Sequence, residues 1–293
     1  MAAGIVLFAI NTFGGTVLTE ILGHGALDVR LVVTRAGYGP KSHLMPHAIA
    51  DRHGLPWTTD EAGGQALESH VAALAPDAIL VGGYHRRIPR SLFETAAAGA
   101  ANLHPSLLPA YRGATPVEWC IANGETETGL TLHRLEQGFD TGDILWQGRV
   151  AIGADDTAGD VLERITTSLV PAGVAAFAER VAIGNFRGVP QDPNLASWQA
   201  KRSEGDAVLD LRWDAAKVHC RVRAMAPWPL ASVMLDGMVR RVARSRLISQ
   251  PSQPTLPATL VSVAEGGERA MVACGDGRLV ELIDLDPPIG NRP

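Results

Sequence analysis

The sequence predicts an α/β protein in two parts: an open, mostly parallel sheet with helices on both faces, then a smaller antiparallel β domain. Three observations carry this. Apolar runs at 4–10, 27–34 and 78–82 have the composition of strands buried on both faces. Stretches of helical spacing separate them, and strand–helix alternation calls for parallel crossovers. Beyond residue 230 the pattern changes to short runs bounded by Gly and Pro, which suit a small antiparallel barrel. A chain of 293 residues is also long for one core, so a large and a small domain are expected.

In chain order, Asn11-Thr12-Phe13-Gly14-Gly15 turns the first strand into a helix ending near Gly23. The turn lacks Gly-x-Gly-x-x-Gly, which argues against a nicotinamide cofactor. Its helix N-terminus, at Thr12, suits the anionic part of a substrate. Residues 43–53 and 61–75 read as helices. A strand from Ala100 is stopped by Pro105, which has no N–H for a ladder. Thr115-Pro116 is a sound helix start for 115–123. Residues 128–135 and 144–152 read as strands, and 156–183 as one long helix. The stretch from Gly184 to Gly205 is rich in Pro, Asn and Gln and reads as a connection. The domains are therefore placed at 1–190 and 206–293, with a linker at 191–205. A short helix over 214–224 precedes five short strands: 231–235, 239–248, 258–264, 269–273 and 279–285.

Charge narrows the partners. Residues 1–200 hold 13 Lys+Arg and 20 Asp+Glu, a net of −7; residues 201–293 hold 13 and 11, a net of +2. A protein that grips an RNA backbone usually shows a clear basic face. The one basic cluster, Arg240-Arg241-Val-Ala-Arg244-Ser-Arg246, alternates like the solvated side of a strand. The N-terminus has no basic n-region, and no segment approaches the roughly 18 apolar residues of a membrane helix. Cys120, Cys220 and Cys274 show no metal-ligand spacing. A cytoplasmic protein without membrane contact is expected, its oligomeric state left open.

The candidate site lies at strand ends, where open α/β sheets bind ligands. Asn102 and His104 share one side of a strand, because side chains alternate with period two. Asp140 follows in a turn flanked by Gly138 and Gly142. An amide donor, a group that shuttles a proton near neutral pH and a carboxylate to hold it are thus brought within reach. Ser106 lacks a surrounding Gly-x-Ser-x-Gly, which argues against a hydrolase triad. His85, His104 and His133 lack zinc-like spacing, and His133 is read on a strand leading away, so no metal is expected.

The run Asn102-x-His104-Pro-Ser106-Leu-Leu-Pro-x-Tyr111-Arg-Gly, then Gly129-x-Thr131-x-His133 and Asp140-Thr-Gly-Asp-Ile, resembles the formyltransferase family that uses 10-formyltetrahydrofolate. The resemblance covers nearly the whole chain. It is shared between the methionyl-tRNA branch and the branch acting on UDP-4-amino-4-deoxy-arabinose, and Asn123 to Arg134 is especially similar to the second. The resemblance implies a Rossmann-like first domain and an OB-like second one, entered through Arg223-Ala-Met-Ala-Pro-Trp-Pro229. It also implies 10-formyltetrahydrofolate as formyl donor.

Formyl transfer to an amine passes through a tetrahedral oxyanion and needs an oxyanion donor, a proton acceptor and a group to hold the acceptor. Asn102, His104 and Asp140 fit these roles, and the resemblance assigns them likewise. Asp140 is expected to raise the pKa of His104 and fix its ring. The resemblance implies that, by position, Arg86, Arg87 and Ile88 with Glu136, Gln137, Gly138 and Phe139 border the folate. Thr12, Ser106 and Tyr111 are the candidate acceptor contacts. Ala114 stands where the sugar branch carries an arginine, as in the tRNA branch. Against the tRNA branch, the loop 34–43 is short and holds one lysine, the tail stops at 290–293, and the balance is acidic. The expected acceptor is a small-molecule primary amine, with a nucleotide-linked amino sugar first. Methionyl-tRNA is the alternative, and hydrolysis of formyl-folate or a pure binding module the lesser readings.

Overall fold

The structure, a computed structural model, describes residues 2–36, 42–59, 64–248 and 256–286. Five strands run parallel at its centre: β1 (Ala3–Phe8), β2 (Leu27–Thr34), β3 (Trp57–Thr59), β4 (Ala78–Gly82) and β5 (Gly99–His104). After β6 (Arg112–Gly113), β7 (Glu127–Arg134) pairs antiparallel with β5, and β8 (Ile144–Ala151) antiparallel with β7. The seven-stranded order is β3-β2-β1-β4-β5-β7-β8. Alternation within β1 divides the core as period two demands. Ile5 and Leu7 join one apolar cluster, Val6 and Phe8 the other.

Helices cover both faces. On the first lie α1 (Thr12–Gly23), α2 (Pro46–His53), α5 (Pro116–Ala122), α6 (Ala158–Ser168) and α7 (Val170–Ile183). The second is covered by α3 (Gln65–Ala73) and α4 (Arg90–Phe93). Asn11 caps α1 by accepting from the Gly14 N–H at 3.0 Å. Among the described residues no single helix is long and apolar enough to cross a membrane.

Two expectations are corrected, and two short elements go unread. The helix read over 156–183 is two helices, bent by 43° at their junction. Pro171, in the first turn of α7, has no N–H to give and its ring crowds the preceding turn, so the ladder restarts there. The helix read from residue 43 begins at Pro46, after a 3-10 turn over Ser42–Leu44, because proline at the first helical position sets the start. The elements β3 and α4, three and four residues long, carry too little pattern to be read from sequence. Of the helix read over 61–75, residues 61–63 lie outside the described residues.

The connection read over 184–205 is stitched to the first domain. Val189 bridges Ile144, and β9 (Trp198–Gln199) pairs parallel with β6. Beyond it, α8 (Ala215–Met225) packs on a five-stranded antiparallel sheet. The strands are β10 (Ala231–Leu235), β11 (Met238–Ile248), β12 (Thr259–Val263), β13 (Arg269–Ala273) and β14 (Leu279–Leu285), in the order β10-β11-β14-β13-β12. Among the described residues β10 and β12 do not pair with each other, so the barrel is open on that side.

The two domains share one apolar cluster, joined where α8 meets α5. Polar clamps orient the joint: His219 Nε2 donates to the Ala154 carbonyl at 2.9 Å, and Arg223 to those of Gly153 and Asp156 at 3.1 and 3.2 Å. A cleft of about 850 Å³ opens between the domains, walled by α1, α5, α6 and β11.

The wall at α1 depends on a close approach. A Cβ on Gly15 would lie 1.9 Å from the Leu44 carbonyl oxygen, whereas one on Gly25 meets nothing. Gly15→Ala should destabilise the fold by about 1–3 kcal/mol through overpacking. At roughly 2–4 °C per kcal/mol, thermal unfolding followed by circular dichroism should show the loss, with Gly25→Ala as an unchanged control.

Candidate active site

The register of β5 on β7 builds the site. Asn102 lies opposite His133, and His104 opposite Thr131. Asp140 is delivered by the turn after β7, in the left-handed region at φ 54°. The turn lies against the strand end so closely that a Cβ on Gly142 would meet the Arg134 carbonyl oxygen at 1.9 Å. Glycine is therefore required at that position.

Three side chains converge on Asp140 Oδ1: His133 Nε2 at 3.4 Å, Asn102 Nδ2 at 3.5 Å and His104 Nδ1 at 3.6 Å. The Gly113 N–H donates to Oδ2 at 2.8 Å. Burial alone would raise this carboxyl, but His104, His133 and the Gly113 N–H outweigh it and hold Asp140 well below the usual carboxylate range.

His104 is almost wholly buried, at 5% exposed. Burial pushes its imidazole below the ordinary value. Asp140 and the Tyr111 carbonyl pull it upward, and His133 adds to the lowering. The expected rise is thus corrected: the pull from Asp140 exists, but the penalty for burying an imidazolium exceeds it. His104 Nε2 lies 2.9 Å from the Tyr111 carbonyl. A carbonyl only accepts, so Nε2 carries the proton and Nδ1 is left to take one.

The loop after β5 exists to aim that carbonyl. Tyr111 is itself left-handed, at φ 60°. Its N–H donates to Ser197 Oγ at 2.8 Å and its hydroxyl to Glu125 at 2.7 Å. Thr131 Oγ1 donates to the Ser106 carbonyl at 2.6 Å and accepts from the Leu108 N–H at 3.2 Å. Ser106 has no exposed surface, and its hydroxyl donates to the Ala110 carbonyl at 2.9 Å. Ser106 and Tyr111, expected to touch an acceptor, are therefore turned inward as braces of the loop. Thr12 does line the interdomain cleft.

His133 is the residue that sequence reasoning missed. It was read as leaving the site, and β7 instead returns it to the centre. Its Nδ1 donates to the Arg134 carbonyl at 3.0 Å, so Nε2 is free to accept from Asn102 Nδ2, also at 3.0 Å. This fixes which way the Asn102 amide faces. The available signal was the period-two spacing of Thr131 and His133 within the motif already noted. Among the described residues no group of His, Cys, Asp and Glu is arranged to hold a metal ion.

The two segments expected to border the folate meet. Arg87 Nη2 donates to the Gln137 carbonyl at 2.5 Å, and its guanidinium lies 5.4 Å from the centre of the Phe139 ring. Beside Arg86 and Arg87, a pocket of about 210 Å³ is lined by Phe8, Leu67, Tyr84, Ile88 and Leu92. Phe139 is 54% exposed, against the Arg87 guanidinium. Gly138 packs against Thr141, and Glu136 accepts from Arg134 at 2.5 Å.

The His104 assignment is measurable without substrate. With ¹³C-labelled histidine, NMR titration should place the ring below pH 6.5. Asp140→Asn removes the upward pull and should move it lower still. An upward move would show that Asp140 is not its electrostatic partner.

The formyl transferase family model matches residues 28–173, and that of the formyl transferase C-terminal domain residues 201–291. A methionyl-tRNA formyltransferase of Geobacter metallireducens is 31% identical, the match covering 97% of this chain and 92% of the relative. One of Parvibaculum lavamentivorans is 33% identical over 91% and 87%. An N-formyltransferase of Helicobacter canadensis, solved with folinic acid and dTDP-3-aminofucose, has the same fold, with a TM-score of 0.72 at 18% identity, over 97% of this chain and 99% of that one. The two family models together span most of this chain, and the chain belongs to the formyl transferase family.

Proposed function

We propose that this formyltransferase moves the formyl group of 10-formyltetrahydrofolate to a primary amine of a small molecule, with a nucleotide-linked amino sugar as the first candidate. The observation that carries the chemistry is the convergence of Asn102, His104 and Asp140 at the end of β5, with a neutral, proton-accepting Nδ1 on His104.

The steps follow from those atoms. The amine nitrogen attacks the formyl carbon, a C–N bond forms and the carbonyl oxygen becomes an oxyanion. One Asn102 N–H is held by His133 at 3.0 Å. The other, facing Asp140 only at 3.5 Å, is left to stabilise the oxyanion. His104 Nδ1 takes the proton that the amine loses, and the imidazolium so formed lies between the Asp140 carboxylate and the Tyr111 carbonyl. The tetrahedral species collapses, the bond to N10 breaks, and that nitrogen takes a proton, releasing tetrahydrofolate. Arg87, Ile88 and the loop 136–139 are the proposed walls of the donor site.

The acceptor reading rests on charge. The cleft is lined by Glu118, Asp160 and Glu163 against Arg202 and Arg244. Arg202 is already paired with Glu118 at 3.1 Å and with the Ala224 carbonyl at 3.1 Å. Such walls suit a ligand with one or two phosphates better than an RNA strand. The second reading, methionyl-tRNA, is favoured by the names of the full-length relatives. In the loop 34–43, residues 37–41 lie outside the described residues, as does the tail 290–293, and the loop bears on this choice through its composition alone.

Two experiments check the reading. Asn102→Ala and His104→Ala should each lower turnover at least about a hundredfold with the fold intact. Near-normal rates in both would remove the catalytic assignment. Release of tetrahydrofolate, followed over a panel of nucleotide-linked amino sugars and methionyl-tRNA, separates the acceptors. The sugar-nucleotide reading expects a substrate in the panel and weak dependence on salt. Efficient formylation of methionyl-tRNA, with affinity falling steeply as salt rises, would replace it.

A further inference from the structure

We propose that Gln191, in the segment joining the domains, is a positioning residue that holds the Asp140 turn in its working conformation; this rests on the role given to Asp140 above. Gln191 Nε2 donates to the Asp140 carbonyl at 2.8 Å and to the Gly142 carbonyl at 2.7 Å. Its Oε1 accepts from Arg112 Nη2 at 2.7 Å and Nε at 3.1 Å. A guanidinium only donates and carbonyls only accept, so the amide has one permitted orientation.

The turn needs such a clamp. Asp140 is a non-glycine residue at φ 54°, a backbone state that persists only where its surroundings over-determine it. That state aims the carboxylate back at the Gly113 N–H and at His104 Nδ1. The strand β6 therefore grips the turn twice, through Arg112 and Gln191 on the main chain and through Gly113 on the side chain. It is itself fixed to the same connecting segment, with the Arg112 N–H donating to the Ser197 carbonyl at 2.9 Å and the Ala114 N–H to that of Gln199 at 3.1 Å. Residues 191–199 thus form a strap across the turn.

Without Gln191 the main chain at 140–142 keeps its sequence but loses two donors. The carboxylate then samples positions farther from His104, whose other charged or titratable neighbour is His133. A brace of merely general stability would lower the thermal midpoint without changing how His104 titrates.

The full chain with Gln191→Met, which keeps the side-chain volume and removes both polar ends, tests this, with Gln191→Ala as the second variant. Histidine NMR titration should show His104 moved downward by at least half the shift produced by Asp140→Asn. In the Asp140→Asn background the same Gln191 change should add no shift, because its effect passes through Asp140. A clear Asp140→Asn shift with none from either Gln191 variant, or an equal Gln191 shift in both backgrounds, overturns this inference alone. If Asp140→Asn itself leaves His104 unmoved, the reading of the site falls and the role of Gln191 with it.

Discussion

The buried carboxylate of Asp140 is the constraint on which the site depends. Taking an ionised carboxylate out of water is tolerated only where partners replace the lost hydration. With its side chain 12% exposed, Asp140 accepts the Gly113 N–H on one oxygen and faces the Asn102 amide N–H at 3.5 Å on the other, where His104 Nδ1 becomes a donor once it takes a proton. Each partner is in turn fixed: His104 by the Tyr111 carbonyl, His133 by the Arg134 carbonyl, Asn102 by His133. The outer bonds decide the tautomers, and the tautomers decide which nitrogen takes a proton. A chain of ordinary hydrogen bonds thus turns one buried charge into a directional proton site.

Strand direction makes this possible. In a wholly parallel sheet the strand after β5 would arrive through a long crossover. Here β7 runs antiparallel, so its end returns beside the start of the turn that carries Asp140. The same antiparallel register sets Thr131 beneath the loop 106–111, where it pins the main chain that aims Tyr111. One strand therefore supplies the side chain that orients Asn102 and the hydroxyl that supports the partner of His104.

The sequence made some of this legible and hid the rest for physical reasons. Asn102 and His104 could be placed on one face because period-two spacing is a local property, and Asp140 because glycines flanked it. His133 was misread because spacing gives a strand but not the direction of its neighbour. Gln191 was hidden because a polar residue in a Pro- and Asn-rich stretch looks like solvent-facing connection, and its four hydrogen bonds are all to residues distant in the chain. Ser106 and Tyr111, read as acceptor contacts, turn inward because of loop geometry that no pattern encodes. The α6–α7 junction is the opposite case: Pro171 was in plain view, and the apolar spacing continuing through it masked the break.

The joint between the domains bears on what the enzyme can accept. An apolar cluster running from α1 through α5 into the β domain leaves the second domain little freedom to act as a tethered module. Arg202 and Glu118 are both half-buried in this joint. Burial raises the Glu118 carboxyl and lowers the Arg202 guanidinium, each partner pulling the other back toward its charged form. A buried ion pair contributes little net stability, and its stronger effect is to fix geometry. Here it also takes up one of the two arginines lining the cleft, while Arg244 on β11 stays exposed and Glu163 of α6 lines the same cleft. Of the two arginines lining the cleft, Arg244 is therefore the exposed one. On the acceptor reading proposed above, that arrangement suits a compact molecule carrying an anionic group better than a long polyanion.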